Sequence, residues 1–193
     1  MILFTTLLGL LLILSCILLA YSPGKMKQFT DKNGKPIPGS ISEKIYVHIN
    51  GTDQGMIIKS KDSTLPVMLY LHGGLPDYFL SRKYPTGLDD YFTVVWWERR
   101  GSGLSYNADI AIETITLEQL LSDTKEVTNY LRKRFGQEKI YLMGRSGGTF
   151  IGIQAAARTP ELYHAYIGVA QMTNQLESER LAVRRRPRRH CLG

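Results

Sequence analysis

Three short apolar runs limit most strongly how this chain can fold. They cover Val67–Leu71 and residues 92–97 and 140–143, and none of them alternates strictly between apolar and polar residues. Strands that helices cover on both faces have this pattern, because neither face of the strand meets water. Helical patterns lie between and after the runs, so the sequence predicts a mostly parallel α/β sheet with flanking helices.

A hairpin is predicted ahead of these strands. Residues 44–49 alternate between apolar and polar side chains, and residues 56–59 resume the strand pattern after a polar segment. That segment, residues 50–55, begins with Asn50-Gly51, a dipeptide typical of tight turns. The sequence therefore predicts an antiparallel pair of strands joined by a turn over residues 50–55.

Two helices and a last strand are predicted from local signals. Thr116 and Gln119 form a capping-box pattern at the start of one helix, and Gly136 follows its last apolar position. Residues 149–158 are rich in small apolar side chains, which allow a second helix to pack closely on the sheet. Residues 166–169 are predicted to form a further strand.

The N-terminal segment is a long apolar run, because residues 2–21 contain no charged side chain. A helix of this length spans about 30 Å, the thickness of the hydrocarbon core of a bilayer. A cleaved signal peptide is the alternative, but no basic segment precedes the run and Pro23 would follow the cleavage site. The sequence predicts a single N-terminal membrane anchor over residues 1–22, followed by a tether over residues 23–41, and leaves the orientation of the anchor open.

The positive charge of the chain is concentrated near its C-terminus. Twenty-four Lys and Arg against 17 Asp and Glu give a net charge of +7, but five of the arginines lie between residues 184 and 189. The rest of the chain carries +2, so nucleic-acid binding is not expected. Residues 173–193 are interpreted as a basic, irregular tail. The two cysteines lie at opposite ends of the chain, which excludes a disulfide framework and a cysteine-rich zinc site.

A glycine-rich segment between a strand and a helix carries the clearest chemical signal. Residues 144–148 read Gly-Arg-Ser-Gly-Gly and match the G-x-S-x-G pattern of a nucleophile elbow. Such a turn presents the hydroxyl of Ser146 above the sheet edge and leaves the Gly147 N–H free to stabilise a developing oxyanion. An ordinary glycine-rich turn is the alternative, while a P-loop is excluded because no lysine follows Gly144.

Two further segments follow predicted strands. His72-Gly73-Gly74 comes directly after the first apolar run, where a glycine pair lets backbone N–H groups face a substrate carbonyl. His72 itself is interpreted as structural rather than as a general base, because it precedes the serine in chain order. Residues 98–105 read Glu-Arg-Arg-Gly-Ser-Gly-Leu-Ser, and we interpret them as a turn braced by an Arg–carboxylate pair.

Taken together, these three segments resemble the proline iminopeptidase-like α/β-hydrolases over about residues 45–172. The HGG segment, a W-[DE]-x-R-G-x-G-x-S loop after the next strand and the elbow occur in the order found in that family. The resemblance implies that residues 42–172 form the N-terminal part of an α/β-hydrolase core, with Ser146 as nucleophile and Gly74 and Gly147 as oxyanion donors. It also implies an enzyme without metal or cofactor. Such an enzyme cleaves small amides, esters or N-terminal peptide bonds through an acyl-enzyme, so its substrate is a small molecule or a short peptide.

The chain departs from the family pattern in both halves of this site. Residues 75–77 read Leu-Pro-Asp after Gly74, where the family commonly has Pro-Gly. Arg145 precedes the serine where His or Gln is common, and Gly147 follows it in place of a large aromatic residue. These differences leave the substrate preference open.

The acid and the base of a serine hydrolase triad are not found by sequence. In this fold they follow the serine along the chain, but 47 residues remain after Ser146 and they contain two histidines. His164 is predicted to precede its strand at the opposite sheet edge, and His190 lies in the arginine-rich tail. We therefore expect a fold that is incomplete at its C-terminus. Two functions stay open: a membrane-anchored serine hydrolase, or a truncated, catalytically incompetent or non-enzymatic binding remnant of that fold.

Overall fold

The computed structural model describes residues 2–21, 26–78 and 84–185, which form four α-helices and one six-stranded sheet. The strands are β1 (Ile41–Ile49), β2 (Thr52–Ser60), β3 (Val67–Leu71), β4 (Thr93–Trp97), β5 (Ile140–Arg145) and β6 (Tyr163–Val169). The helices are α1 (Ile2–Tyr21), α2 (Leu117–Phe135), α3 (Gly147–Arg158) and α4 (Gln175–Arg185).

The sheet has the strand order β1-β2-β4-β3-β5-β6. β1 pairs antiparallel with β2, β2 pairs antiparallel with β4, and the remaining pairs are parallel. The carboxyl ends of β3, β4, β5 and β6 therefore meet at one edge, which is where open α/β sheets bind their ligands. The predicted mostly parallel sheet is confirmed.

The central strands lie between two apolar layers. β3 and β4 are buried at every position. One face of the sheet packs against α2 and α3 through side chains such as Leu131 and Ile151. The other face carries a smaller cluster that includes Tyr70 and Trp96. Burial on both faces explains why the apolar runs lack alternation.

The hairpin turn is shorter than the sequence predicts. Asn50 and Gly51 adopt left-handed φ values of 45° and 82° and form a tight turn, so β2 begins at Thr52. Gln54 lies inside the sheet, fully buried, and its Oε1 accepts a hydrogen bond from Trp97 Nε1 at 2.9 Å. The predicted turn over residues 50–55 is wrong, because this tertiary contact satisfies a polar side chain within a strand.

Both predicted ends of the long helix are confirmed in α2. Thr116 Oγ1 accepts a hydrogen bond from Gln119 N at 3.2 Å. At the other end Gly136 takes a left-handed φ of 63° and donates its N–H to Arg132 O. α3 begins two residues earlier than predicted, and β6 begins three residues earlier.

The N-terminal run forms α1, and its side chains are exposed over residues 6–18. No helix in the described part of the chain is long and apolar enough to cross a membrane.

The tail differs in part from the irregular structure that the sequence predicts over residues 173–193. Residues Gln175–Arg185 form α4, and Asn174 Oδ1 accepts the N–H of Glu177 at 3.1 Å at its start. Asn at this position is a favourable helix cap, and the Leu, Glu and Arg residues that follow are good helix formers. His190 lies outside the described residues.

Candidate active site

Ser146 occupies the turn between β5 and α3, where it is exposed. Its backbone has φ 50° and ψ −124°, outside the regions that non-glycine residues usually adopt. Hydrogen bonds hold this conformation. Ser146 N donates to Val169 O at 2.9 Å, and Thr149 donates its N–H and its hydroxyl to Ser146 O at 2.9 and 2.5 Å. A strained strand-to-helix turn of this kind presents the serine hydroxyl above the sheet edge.

Gly144 and Gly148 allow this turn to be tight. A Cβ atom on Gly144 would lie 2.8 Å from Gly148 O, and one on Gly148 would lie 2.6 Å from His72 O and closer still to Leu71 O. Cβ atoms do not approach backbone oxygens so closely, so a side chain at either position would push α3 away from the sheet. The G-x-S-x-G pattern therefore has a steric cause in this chain.

The backbone of Gly73 and Gly74 borders the serine. β3 and β5 are parallel neighbours, so the loops that follow them meet at the same edge. A Cβ atom built on Gly73 lies 3.6 Å from Ser146 Oγ, and one built on Gly147 lies 3.8 Å from Gly74 N. The first N–H groups of a helix have no partner within it, so the Gly147 N–H can face a ligand. The structure thus brings Ser146, Gly74 and Gly147 together.

His72 supports the same loop. Its side chain is buried, its Nδ1 donates to Gly73 O at 2.9 Å, and its Nε2 accepts the backbone N–H of Arg99 at 3.4 Å. Burial, together with the positive charge of Arg99, lowers the pKa of His72 to about 4. The imidazole is therefore neutral at neutral pH and both of its nitrogens are engaged, which agrees with the structural interpretation.

The other histidines lie away from the serine. His164 is the second residue of β6, not before the strand as predicted, and its ring lies 5.2 Å from the ring of Tyr141. This position is at the amino end of the parallel strands, opposite Ser146, as the sequence predicts. His48 lies on the hairpin. Among the described residues no histidine forms a hydrogen bond with Ser146 Oγ, so they do not identify a general base.

The predicted Arg–carboxylate brace of the loop after β4 is present. Arg100 Nε donates to Asp123 Oδ2 at 2.8 Å, and both side chains are buried. The neighbouring Arg99 donates from Nη2 to Gly73 O at 2.7 Å. The loop after β4 is thereby connected both to α2 and to the glycine pair.

An ion pair that the sequence does not predict joins the glycine loop to the elbow. Arg145 Nη1 donates to Asp77 Oδ2 at 2.7 Å, and the Tyr70 hydroxyl donates to the same oxygen at 2.9 Å. Burial and the nearby Asp77 carboxylate raise the pKa of Tyr70, so its hydroxyl stays protonated and acts as the donor. Sixty-eight residues separate Arg145 from Asp77, so no local pattern indicates the pair.

Several known proteins are similar to this chain in sequence. The family described as serine aminopeptidase, S33, matches residues 89–185. The chain is 36% identical over 149 residues to the probable aminopeptidase YbaC of Bacillus subtilis (strain 168), a match that covers 76% of this chain and 47% of the relative. It is 30% identical over 128 residues to lipase member M of Homo sapiens, which covers 59% of this chain and 30% of the relative.

Solved structures show the same fold. A proline iminopeptidase-related protein from Thermus thermophilus matches with a TM-score of 0.57 and 25% identity, over 69% of this chain and 46% of the other. Epoxide hydrolase A from Mycobacterium thermoresistibile matches with a TM-score of 0.56 and 23% identity, over 74% and 45%. The chain spans less than half the length of each of these relatives. From the family match, the relatives and the sheet with its elbow, we conclude that the chain belongs to the serine aminopeptidase S33 family of α/β-hydrolases.

Proposed function

We propose that this chain is a serine hydrolase that cleaves a small amide, an ester or an N-terminal peptide bond through an acyl-enzyme. The observation that carries the proposal is the conformation of Ser146, whose φ of 50° places its hydroxyl beside the Gly73 and Gly74 backbone and at the start of α3. Such a backbone conformation costs about 1–3 kcal/mol and persists where a site depends on it.

The reaction follows from these positions. Ser146 Oγ attacks the substrate carbonyl carbon and gives its proton to a base, while the N–H groups of Gly74 and Gly147 stabilise the negative charge on the carbonyl oxygen. When the tetrahedral intermediate collapses, the C–N or C–O bond breaks and the leaving group takes up a proton. Water then attacks the acyl-enzyme and restores the free serine.

The base determines how fast this serine can react. Both ring nitrogens of His72 are engaged in hydrogen bonds and its pKa of about 4 makes it a weak proton acceptor, while His164 lies at the opposite sheet edge, so neither is placed to take the proton from Ser146. General-base assistance contributes about 10²–10⁴-fold to such reactions. Because the described residues supply no such base, we expect slow reaction at Ser146.

The relatives of this chain indicate which substrate classes to test first. The family description and the Bacillus subtilis relative both name aminopeptidases, which favours an amide next to a free amino group. The similarity to lipase member M makes esters the second class to test. Aminoacyl p-nitroanilides, their N-acetylated forms and short p-nitrophenyl esters separate these classes, and we expect acetylation to lower the rate.

A fluorophosphonate probe tests the nucleophile directly, because it reacts covalently with activated serines. We expect slow labelling that peptide mass spectrometry locates at Ser146 and that Ser146→Ala abolishes. Ser63→Ala is the matched control, because Ser63 is exposed in the turn before β3, at the other edge of the sheet. Equal labelling of Ser146→Ala and the wild-type chain would show that the proposal is wrong.

A further inference from the structure

Arg145 and Asp77 join the two halves of the candidate site. Arg145 is the last residue of β5 and directly precedes Ser146, whereas Asp77 lies three residues after Gly74. Arg145 Nη1 donates to Asp77 Oδ2 at 2.7 Å, and the hydroxyl of Tyr70 on β3 donates to the same oxygen at 2.9 Å. The two loops that must cooperate in an oxyanion site are therefore in direct contact through charged side chains.

The loop that carries Gly74 is held near both of its ends, and Gly74 and Leu75 between them are exposed. At its start, Gly73 O accepts a hydrogen bond from Arg99 Nη2 at 2.7 Å. At its end, the ion pair holds Asp77. Between these points Leu75 is 78% exposed, and a Cβ atom on Gly74 would have no neighbour within 4 Å. Both anchors therefore help to fix the position of the Gly74 N–H.

We propose that Arg145 is a positioning residue that sets the separation between the N–H groups of Gly74 and Gly147 through its ion pair with Asp77. We name this pair the Arg145–Asp77 clamp. The inference rests on the proposed function, because this separation matters only if an oxyanion forms between the two N–H groups. A misplacement of about 1 Å in a reacting site can lower the rate about 10²-fold, so loss of the clamp has a measurable effect.

The clamp also neutralises a carboxylate on the oxyanion loop. The Asp77 side chain is 11% exposed, and in the described part of the structure its Oδ1 has no hydrogen-bond partner. Without Arg145 this negative charge would oppose the negative charge that develops on the substrate oxygen. Removal of Arg145 alone should therefore lower the reaction rate more than removal of both charges.

Backbone ¹⁵N relaxation tests the clamp without any reaction. In Arg145→Met, the order parameters of the Gly74 and Leu75 amides should fall from about 0.85 to below about 0.6, the value of flexible backbone. Arg158→Met is the matched control, because Arg158 forms an exposed ion pair with Glu118 at the far end of α3. Arg158→Met should leave the order parameters of both amides unchanged. Arg145→Lys keeps a cation next to the carboxylate and should restore the order.

The rate of fluorophosphonate labelling at Ser146 supplies the second measurement. We expect Arg145→Met to lower the labelling rate about 10- to 100-fold. Arg145→Lys should come close to the wild-type rate, and the double variant Arg145→Met/Asp77→Asn should recover part of the loss. If Arg145→Met does not fold, Asp77→Asn replaces it, with the same expected loss of order.

The outcomes separate the clamp from the proposed function. Unchanged order parameters together with an unchanged labelling rate in Arg145→Met would show that the clamp does not position the loop. If the wild-type chain does not react while Arg145→Met still loosens the loop at Gly74, the clamp is supported and the proposed function is wrong.

Discussion

Replacing Asp123 by alanine removes the acceptor of five hydrogen bonds in the interior of the protein. Its carboxylate, on α2, is fully buried. Arg100 donates to it from Nε at 2.8 Å and from Nη2 at 3.0 Å. The side-chain amides of Asn50, Gln119 and Gln54 donate to it at 2.8, 2.8 and 2.9 Å. This group ties the hairpin and the loop after β4 to one helix.

The size of the effect follows from burial. Burial by itself raises the pKa of Asp123, but the hydrogen bonds from Arg100 and the three amides outweigh it and hold the pKa below its usual range. The side chain of Arg100 is 4% exposed, so Asp123→Ala leaves a buried cation without its partner. Loss of one member of a buried ion pair costs about 3–5 kcal/mol. This is a large part of the total stability of a domain, which is about 5–15 kcal/mol.

Urea unfolding at pH 7, followed by circular dichroism, measures this cost. Asp53→Ala is the control, because Asp53 and its partner His48 have side chains that are 74% and 70% exposed, and it should leave the midpoint unchanged. A cost below about 1 kcal/mol for Asp123→Ala, the range of an exposed pair, would show that the buried pair does not stabilise the fold as expected. Because the folded-state pKa of Asp123 is depressed, its stabilisation is present above the unfolded pKa of about 4 and is lost as pH falls below that value.

Other positions allow tests of the same kind. Gly148→Ala should lower the free energy of unfolding by about 1–3 kcal/mol, because the new Cβ would lie 2.6 Å from His72 O. A Cβ on Gly74 meets open space, so Gly74→Ala should leave the thermal midpoint unchanged. Burial and Arg99 hold the pKa of His72 at about 4, below the unfolded value of about 6.5. The unfolded state therefore binds the proton more readily, and stability should fall as pH decreases from about 6.5 to 4, by up to about 1.4 kcal/mol per pH unit. His72→Gln should remove this slope in urea titrations. The anchor predicted over residues 1–22 implies retention in carbonate-washed membranes, and recovery in the supernatant would contradict it.

The sequence predicts best the elements whose causes are local. Five consecutive apolar residues predict Val67–Leu71, and β3 has the same bounds because every one of these side chains is buried. Thr116 and Gly136 mark the ends of α2 through hydrogen bonds to residues within one turn. In both cases the residues that cause the element lie within it or next to it, so a local pattern is enough to predict it.

Elements that depend on distant contacts are predicted less well. Gln54 looks like part of a polar turn, yet it lies in β2 because Trp97, 43 residues away, donates to its side chain. The buried Asp123 is likewise indistinguishable in sequence from an exposed helical carboxylate until Arg100 is placed beside it. The sequence predicts that the loop is braced by a carboxylate, but it does not identify which one.

The candidate site shows the same division between local and distant causes. The small residues that the elbow requires all lie within residues 144–148, so the G-x-S-x-G pattern is enough to find Ser146, although the atoms that crowd Gly148 belong to Leu71 and His72. The relation between the elbow and the glycine pair depends on strand order, which no local pattern predicts and which the sequence indicates only through the family resemblance. That order makes β3 and β5 neighbours and sets Leu71 opposite Gly144.

This adjacency has a consequence for how the site can vary. Backbone atoms lie so close to Gly144 and Gly148 that neither position can carry a side chain, so the sequence of the elbow can change little. Arg145 and Asp77 meet through side chains on the outer part of the same edge, with Arg145 half-exposed. Paired substitutions there can shift the Gly74 loop and leave the turn that holds the serine intact. Differences in rate and substrate preference between related chains should therefore follow the loop and its ion pair rather than the elbow.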